Sequence, residues 1–389
     1  MHERWLILAV LTLARTVMGF QFQSVASVSP YLIEHFQMSY AALGTLVGLY
    51  LLPGAAVSIP GGVLAQRVGD KRITCIGLAA MSCGALMMAT TENFALLSAG
   101  RIVSGTGAVF LNVMVTKMVT DWFPNDKTAV ALSILIASWP IGIAIALVLL
   151  PPLAKVASWQ AAIYVTMAAS AVAFALIYVF YRAPNTATSD QRTSMQFDLT
   201  RHELSLSALA GLVWTLYNIA FIIVLTFGPE FLTATGYSTT EASAVVSTVG
   251  WLIIPALPFG AWLAERIGRP DITMISCFLI AAVMIGVVAS VGPSAMLFAL
   301  IGIIFGPPGG LIMALPSQAV RAERRASGIG VYFTCYYAGM GVLPTFAGYT
   351  RDLTGSAGAP LWFAGAMLIA ATLALMRFRM VQSRSPQSP

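Results

Sequence analysis

Charge is what this sequence has least of. Only 9% of its 389 residues are charged, whereas 58% are hydrophobic. Soluble globular domains carry about 25% charged residues, so this composition excludes a water-soluble enzyme. A hydrocarbon core about 30 Å thick needs about 20 apolar residues per helical crossing, which leaves room for about a dozen crossings. The mean hydropathy of +0.83 agrees with that number.

Several reactive groups are also scarce or absent. The chain has four cysteines and three histidines, and the cysteines lie in apolar runs without CxxC spacing, so we expect neither a zinc site nor a disulfide framework. The sequence contains no GxxxxGK[ST] loop for nucleotide phosphates and no nucleophile paired with a His or acidic base inside an apolar run. These absences argue against an ATP-driven pump and an intramembrane hydrolase, and we expect no metal and no cofactor.

The apolar runs predict an all-α membrane protein with twelve transmembrane helices. Each run is bounded by charged or turn-rich segments, which we take as loops. The predicted spans lie near residues 5–30, 41–65, 72–90, 94–119, 128–150, 159–181, 205–227, 241–264, 271–290, 294–319, 328–348 and 360–378.

Lys and Arg lie mostly in loops on one side of these spans. Seventeen of the 21 fall on the side that holds both termini, two fall on the opposite side, and two lie within spans. By the positive-inside rule we expect both termini in the cytoplasm and the chain in the inner (plasma) membrane. The net charge of +6 thus comes from basic residues in the loops on one side of the membrane, and no nucleic-acid partner is expected.

Two halves of the chain resemble each other at a fixed offset of 199 residues. Identical residues recur at this offset at Pro30 and Pro229, Ser39 and Ser238, Gly61 and Gly260, Leu64 and Leu263, Arg67 and Arg266, and Gly69 and Gly268. We therefore predict two pseudo-symmetric six-helix bundles, at 1–181 and 203–389, joined by a polar cytoplasmic linker at 182–202. Parallel repeats of this kind occur in transporters whose substrate site lies between the halves.

The loops after the second and eighth spans carry a repeated motif. Residues 61–69 read GGVLAQRVG and residues 260–268 read GAWLAERIG, and both resemble the GxLAxRxG loop of the major facilitator superfamily. Residues 101–107, RIVSGTG, are similar to the RxxxGxG pattern of the same family. Residues 306–310, GPPGG, and the tyrosine-rich eleventh span most resemble its cyanate-permease-like branch.

This resemblance implies the major facilitator fold and transport by alternating access. It also implies that the two loops take part in gating, through Gly62, Arg67, Gly69, Glu265, Arg266 and Gly268. The first loop departs from the family pattern at Gln66, where an acid is usual, so the ion pair of that loop is not expected here. Residues 138–142, SWPIG, depart from the GPxxGG run of family antiporters, which makes drug and proton exchange less favoured.

Two arginines are predicted to lie deep in the membrane. Arg15 lies about ten residues into the first span, roughly 15 Å deep, and Arg101 about seven residues into the fourth, roughly 10 Å deep. Each costs about 2.5–3.5 kcal/mol to insert, and no Asp or Glu lies more than a turn inside any span. Because a guanidinium fork matches a carboxylate or a similar anion, we predict that both arginines bind a small anionic substrate. The alternative is that they brace helices through carbonyl hydrogen bonds.

The resemblance implies that spans one, four, seven and ten line the substrate cavity. Spacing of three and four residues places Asn112 on the face of Arg101, and groups Trp214 with Tyr217 and Asn218 in span seven. Further candidate ligands are Gln23, Tyr332 and Tyr336. For all of these the alternative is helix packing.

Span ten contains adjacent prolines. Pro307 and Pro308 lack two backbone donors, so we predict a kink or an unwound segment there that could flex during gating. A structural kink without a gating role is the alternative.

The sequence as a whole predicts a secondary transporter of a small inorganic or organic anion, such as cyanate, a nitrate-like ion or a carboxylate. The rival in the same class is an exporter of amphipathic, drug-like compounds. A membrane sensor is disfavoured because the linker and tails are short. We expect the lipid bilayer and the small-molecule anion as partners, and function as a monomer.

Overall fold

The computed structural model describes residues 2–57, 68–123, 128–184, 199–321 and 324–383, and these ranges contain helices and connecting turns but no strand. They fall into two compact units, within Met1–Arg192 and Thr193–Pro389. The predicted linker, 182–202, lies mostly outside the described residues. The all-helical fold predicted from the apolar runs is confirmed.

Seven of the helices in these described ranges lie in the first unit. They are α1 (His2–Ser27), α2 (Ser29–Phe36), α3 (Tyr40–Leu49), α4 (Asp70–Ala89), α5 (Phe94–Trp122), α6 (Thr128–Val156) and α7 (Trp159–Phe180). The second unit contains the others. They are α8 (Arg201–Ala234), α9 (Thr239–Ile267), α10 (Pro270–Val291), α11 (Ala295–Met313), α12 (Leu315–Ala319), α13 (Arg325–Thr354) and α14 (Ala359–Gln382).

Eleven helical segments of the described chain are long and apolar enough to cross a membrane. The predicted span that is not among them is the eleventh, 328–348, which corresponds to α13. Its Gly, Ser, Thr and Tyr residues lower its mean hydropathy. Its 30 residues extend about 45 Å at 1.5 Å per residue, which is also enough for a crossing. The chain is therefore a multi-pass membrane protein.

Short polar side chains set where several helices begin. The side chains of Ser39, Asn93 and Ser158 accept backbone N–H groups of the first turns of α3, α5 and α7. In the second unit, Thr200 with Glu203 and Ser238 with Glu241 form capping boxes at the starts of α8 and α9. Each cap satisfies donors that a helix start leaves unpaired, so the loops between spans can be short.

Glycines bring neighbouring helices into backbone contact. A Cβ at Gly107 of α5 would lie 2.2 Å from the carbonyl oxygen of Gly77 in α4, and one at Gly260 of α9 would lie 2.0 Å from the Cα of Pro307 in α11. Apolar side chains do not drive helices together in lipid, so close packing of small residues contributes much of their association.

The helix α11 continues through Pro307 and Pro308. We predicted a kink or an unwound segment at this pair, and the unwound segment is therefore wrong. The kink and its gating role stay predictions. The contact with Gly260 shows that α9 packs directly on Pro307. This packing supports the helix where two backbone donors are missing. The helical segment ends at Met313 and is followed by the short helix α12.

Substituting Gly105→Ala is expected to lower the midpoint of thermal unfolding in detergent. A Cβ at this position in α5 would lie 2.1 Å from the carbonyl oxygen of Tyr50, and overpacking of this kind costs about 1–3 kcal/mol. The matched control is Gly310→Ala in α11, where a Cβ would meet nothing within 4 Å. There the gain in helix propensity, about 0.5–1 kcal/mol, should leave the midpoint equal or higher. Equal losses for both variants would contradict this account of the packing.

Candidate functional site

Arg15 lies midway along α1 and remains partly exposed. Its Nε donates to Oδ1 of Asn112 in α5 at 3.0 Å, and its NH1 donates to the carbonyl oxygen of Leu135 in α6 at 2.6 Å. Three helices of the first unit therefore fix the position of this guanidinium. Both of these acceptors are neutral, so they orient the group without cancelling its positive charge.

The local sequence explains why α1 and α6 meet at this point. A Cβ at Gly19 would lie 2.4 Å from the carbonyl oxygen of Trp139, and one at Gly142 would lie 2.1 Å from that of Thr16. Glycine at both positions lets the two backbones touch within a turn of Arg15. The Leu135 carbonyl also accepts a hydrogen bond from the Ser138 hydroxyl at 2.5 Å. This carbonyl is thus a fixed acceptor at the crossing of the two helices.

Arg101 occupies a different environment and is fully buried. Its Nε donates to the carbonyl oxygen of Leu46 at 3.0 Å, its NH1 to that of Gln21 at 3.0 Å, and its NH2 to that of Phe22. The guanidinium carbon also lies 4.5 Å from the ring centroid of Tyr50. These contacts join α5 to α1 and α3, and they favour the bracing role that the sequence left open.

The structure pairs Asn112 with Arg15. Asn112 follows Arg101 by eleven residues in α5, which separates them by about 16 Å along the helix. Arg101 and Asn112 share one face of α5, but Arg101 is fully buried there whereas Asn112 is partly exposed. Gln23 is buried in α1, with 1% of its surface exposed, so a ligand cannot reach it in this structure.

In the second unit, Trp214, Asn218 and Tyr336 are partly exposed. The ring centroids of Trp214 in α8 and Tyr336 in α13 lie 6.0 Å apart. The Asn218 amide nitrogen donates to the carbonyl oxygen of Trp214 at 2.8 Å. We call these three residues the aromatic face. It presents two rings and one amide side chain, a combination that suits a ligand with both apolar and polar groups.

Tyr217 and Tyr332 do not belong to this face. Tyr217 is 4% exposed, its hydroxyl donates to the carbonyl oxygen of Phe305 in α11, and its ring packs 5.5 Å from that of Phe305. Tyr332 is 1% exposed, and its hydroxyl lies 3.6 Å from the sulfur of Met313. These contacts favour the packing role that was the alternative for both tyrosines, and their role as ligands stays a prediction.

The predicted gating residues are only partly within the described ranges. Gly62 and Arg67 lie outside them. Gly69 and Gly268 adopt positive φ angles of 93° and 68° at the start of α4 and the end of α9, where glycine avoids the strain of a side chain. Glu265 and Arg266 are exposed, and the Arg266 guanidinium lies 5.3 Å from the ring of Trp262.

Sequence reasoning missed the backbone acceptors and the ion pairs. The Leu135 carbonyl has no residue-specific signal, because every residue has a carbonyl. Two Arg–Glu pairs link α8 to α13: Arg324 with Glu203 and Arg351 with Glu230. Their shared separation of 121 residues could have been noticed only once the two helices were known to be neighbours.

Known proteins resemble this chain along its length. The sequence model of the Major Facilitator Superfamily matches residues 11–344 and 212–389. A hexuronate transporter of Bacillus subtilis (strain 168) is 22% identical over 399 residues, covering 96% of this chain and 94% of that protein. The quinolone resistance protein NorA of Staphylococcus aureus is 32% identical over 105 residues, covering 27% of each chain. A crystal structure of a mutant nucleoside transporter, NupG, matches with a TM-score of 0.77 at 14% identity, covering 96% of this chain and 99% of that one.

Proposed function

The chain belongs to the Major Facilitator Superfamily, and from that premise we propose that it transports a small organic anion whose carboxylate binds Arg15. Membership makes it a secondary transporter of a small molecule, not an enzyme. The resemblance to the cyanate-permease-like branch stays a prediction.

The observation that carries the proposal is the setting of Arg15. Arg15 is partly exposed, and Asn112 and the Leu135 carbonyl fix the orientation of its guanidinium. A planar fork held in this way can bind a carboxylate with directional hydrogen bonds at a small cost in side-chain entropy. Arg101 takes no part in the proposed site, because backbone carbonyls surround its buried head.

Two further observations support a carboxylate with a polar body. Hexuronates are carboxylates with several hydroxyl groups, and a hexuronate transporter is similar to this chain along almost its whole length. The aromatic face of the second unit offers rings and an amide to such a body. We propose that the aromatic face contacts the substrate. We also propose that the Lys- and Arg-rich loops and both termini lie in the cytoplasm.

Uptake into proteoliposomes tests this function. The panel contains labelled glucuronate, galacturonate, a short monocarboxylate, cyanate, nitrate and the neutral glucuronamide, each with and without a pH gradient. We expect accumulation of at least one carboxylate and, relative to it, at least tenfold slower uptake of the amide. Uptake of neutral compounds alone would contradict the proposal.

Export of amphipathic compounds is the second candidate function. The local similarity to NorA favours it, and aromatic rings suit such substrates. An exporter of this kind should reduce the accumulation of a fluorescent quinolone in cells, and it should do so equally well when Arg15 is replaced by Gln. Carboxylate uptake that depends on Arg15 would exclude this alternative as the main activity.

A further inference from the structure

Two helices of the second unit are joined by an Arg–Glu pair at each end. At one end, NH1 of Arg324, the residue before α13, donates to Oε2 of Glu203 in α8 at 2.9 Å. At the other end, Nε and NH2 of Arg351 in α13 donate to Oε1 of Glu230 in α8 at 3.1 and 2.9 Å. The partners are 121 residues apart in both pairs.

Contacts between the two ends keep the same register. A Cβ at Gly328 would lie 3.0 Å from the Ser207 hydroxyl, and one at Gly211 would lie 2.7 Å from the carbonyl oxygen of Tyr332. The residues of each of these contacts are again 121 apart in the sequence. Thr215 adds a hydrogen bond of 3.3 Å to the carbonyl oxygen of Cys335. The two helices therefore run in the same direction, and the same number of residues separates the two ion pairs on each helix.

The length of this register places the pairs at opposite faces of the membrane. Glu203 and Glu230 are 27 residues apart, which is about 40 Å along a helix. The hydrocarbon core is only about 30 Å thick, so both pairs lie near its boundaries. There the charged groups avoid most of the cost of insertion, and each pair still joins the same two helices.

Two separated pairs restrict motions that one pair would allow. With a single pair the helices could pivot about that end, whereas pairs at both ends oppose pivoting and sliding together. A slide of one turn, about 5.4 Å, would separate both pairs and drive side chains against Gly211 and Gly328. Apolar side chains give little axial specificity in lipid, so these polar and small-residue contacts set the register.

We propose that the Glu203–Arg324 and Glu230–Arg351 pairs stay closed throughout the transport cycle and act as positioning pairs for the aromatic face. That face is built from both helices, with Trp214 on α8 and Tyr336 on α13. A constant register keeps the two rings together while the transporter changes state. The inference rests on the proposed function, in which the aromatic face contacts the substrate. The opposite view is that one of these pairs is a gate that opens in each cycle.

A covalent tether that replaces the ion pair tests this inference. In a background where the four native cysteines are changed to Ser, Glu230→Cys and Arg351→Cys are combined, and uptake of labelled glucuronate is measured in proteoliposomes. We expect loss of the pair to raise KM about tenfold while the maximal rate changes less than twofold. A short bis-methanethiosulfonate crosslinker should return KM to within twofold of the parent, and reduction should raise it again. The same series is run with Glu203→Cys and Arg324→Cys.

Two controls separate positioning from general stability. The charge-swapped protein with Glu230→Arg and Arg351→Glu should recover most of the affinity that either single change loses. The matched control is Asp271→Cys with Arg379→Cys, because that bidentate pair joins α10 to α14 in the same unit. Breaking it should leave KM within twofold of the parent.

The gate view gives the opposite result. Crosslinking at either end would then abolish uptake, and reduction would restore it. An unchanged KM after loss of both pairs would also overturn the inference. The same series is run with another carboxylate of the panel if the parent protein takes up no glucuronate, and the proposed function fails separately if it takes up none of them. In that case the register of α8 and α13 is tested with a protein that has cysteines at all four positions. The crosslink between positions 203 and 324 and the crosslink between positions 230 and 351 should both form to completion in the same molecule.

Discussion

Replacing Arg15 by Gln should reduce kcat/KM for uptake of the carboxylate substrate by roughly 30-fold or more. Truncating one partner of a desolvated, hydrogen-bonded charge pair costs about 2–5 kcal/mol, which corresponds to a loss of this size or greater. Gln retains hydrogen-bonding capacity near Asn112 and the Leu135 carbonyl but carries no charge. Initial rates of uptake over a range of substrate concentrations measure the effect.

Two companion variants define the cause of that loss. Arg15→Lys keeps the charge but lacks the planar fork, so it should retain an intermediate activity. Arg182→Gln removes the same charge from an exposed loop position and should leave kcat/KM within twofold of the parent. Uptake by Arg15→Gln that matches the parent would refute the assignment of the anion site.

Replacing Arg101 by Gln should instead destabilise the folded protein. The change removes the donor for three carbonyl groups, those of Leu46, Gln21 and Phe22, at a fully buried position. A hydrogen bond to a charged group contributes about 1.5–3 kcal/mol, so the loss of these contacts is expected to cost about 3 kcal/mol or more. The measurement is the midpoint of thermal unfolding of the purified protein in detergent, together with its yield.

The fraction of this variant that folds should bind the anion with its parental affinity. Arg101→Lys should also be destabilised, because one ammonium cannot reproduce three directional contacts to separate carbonyls. A protein with Arg101→Gln that unfolds at the parental temperature but no longer binds the anion would reverse the roles given to the two arginines.

The sequence predicts the helices well because the physical signal for each is local. A run of about 20 apolar residues must form a helix in lipid, where every backbone group needs an internal partner. Caps such as Ser39 and Asn93 mark helix starts within a few residues. The unwinding predicted at Pro307 and Pro308 is wrong because the helix is supported there by a contact with Gly260. This glycine is distant in sequence, and its lack of a side chain lets α11 approach.

The site could be predicted only in part because its partners are distant in sequence. Arg15 and Arg101 pay the same cost of insertion, so composition and depth cannot separate a brace from a ligand. The two residues differ in the atoms that accept hydrogen bonds from their guanidinium groups. Asn112 is 97 residues from Arg15, and the acceptors around Arg101 are backbone carbonyls, which leave no residue-specific pattern in the sequence.

Helical spacing also groups residues more coarsely than packing does. It places Trp214, Tyr217 and Asn218 on one stripe of α8, and two of them do form the aromatic face. Tyr217 lies at the edge of that stripe, and its hydroxyl reaches the Phe305 carbonyl in α11 instead. A stripe defined by spacing is wide enough to include both an accessible ring and a buried one.

The claim that Arg15 binds a carboxylate is tested most directly by a binding cycle with two ligands and two proteins. Dissociation constants of glucuronate and glucuronamide are measured by calorimetry for the parent protein and for Arg15→Gln. The account predicts that the substitution weakens glucuronate binding by about 30-fold or more, corresponding to about 2 kcal/mol, and changes amide binding by less than threefold. Equal weakening of both ligands, or of neither, would contradict it.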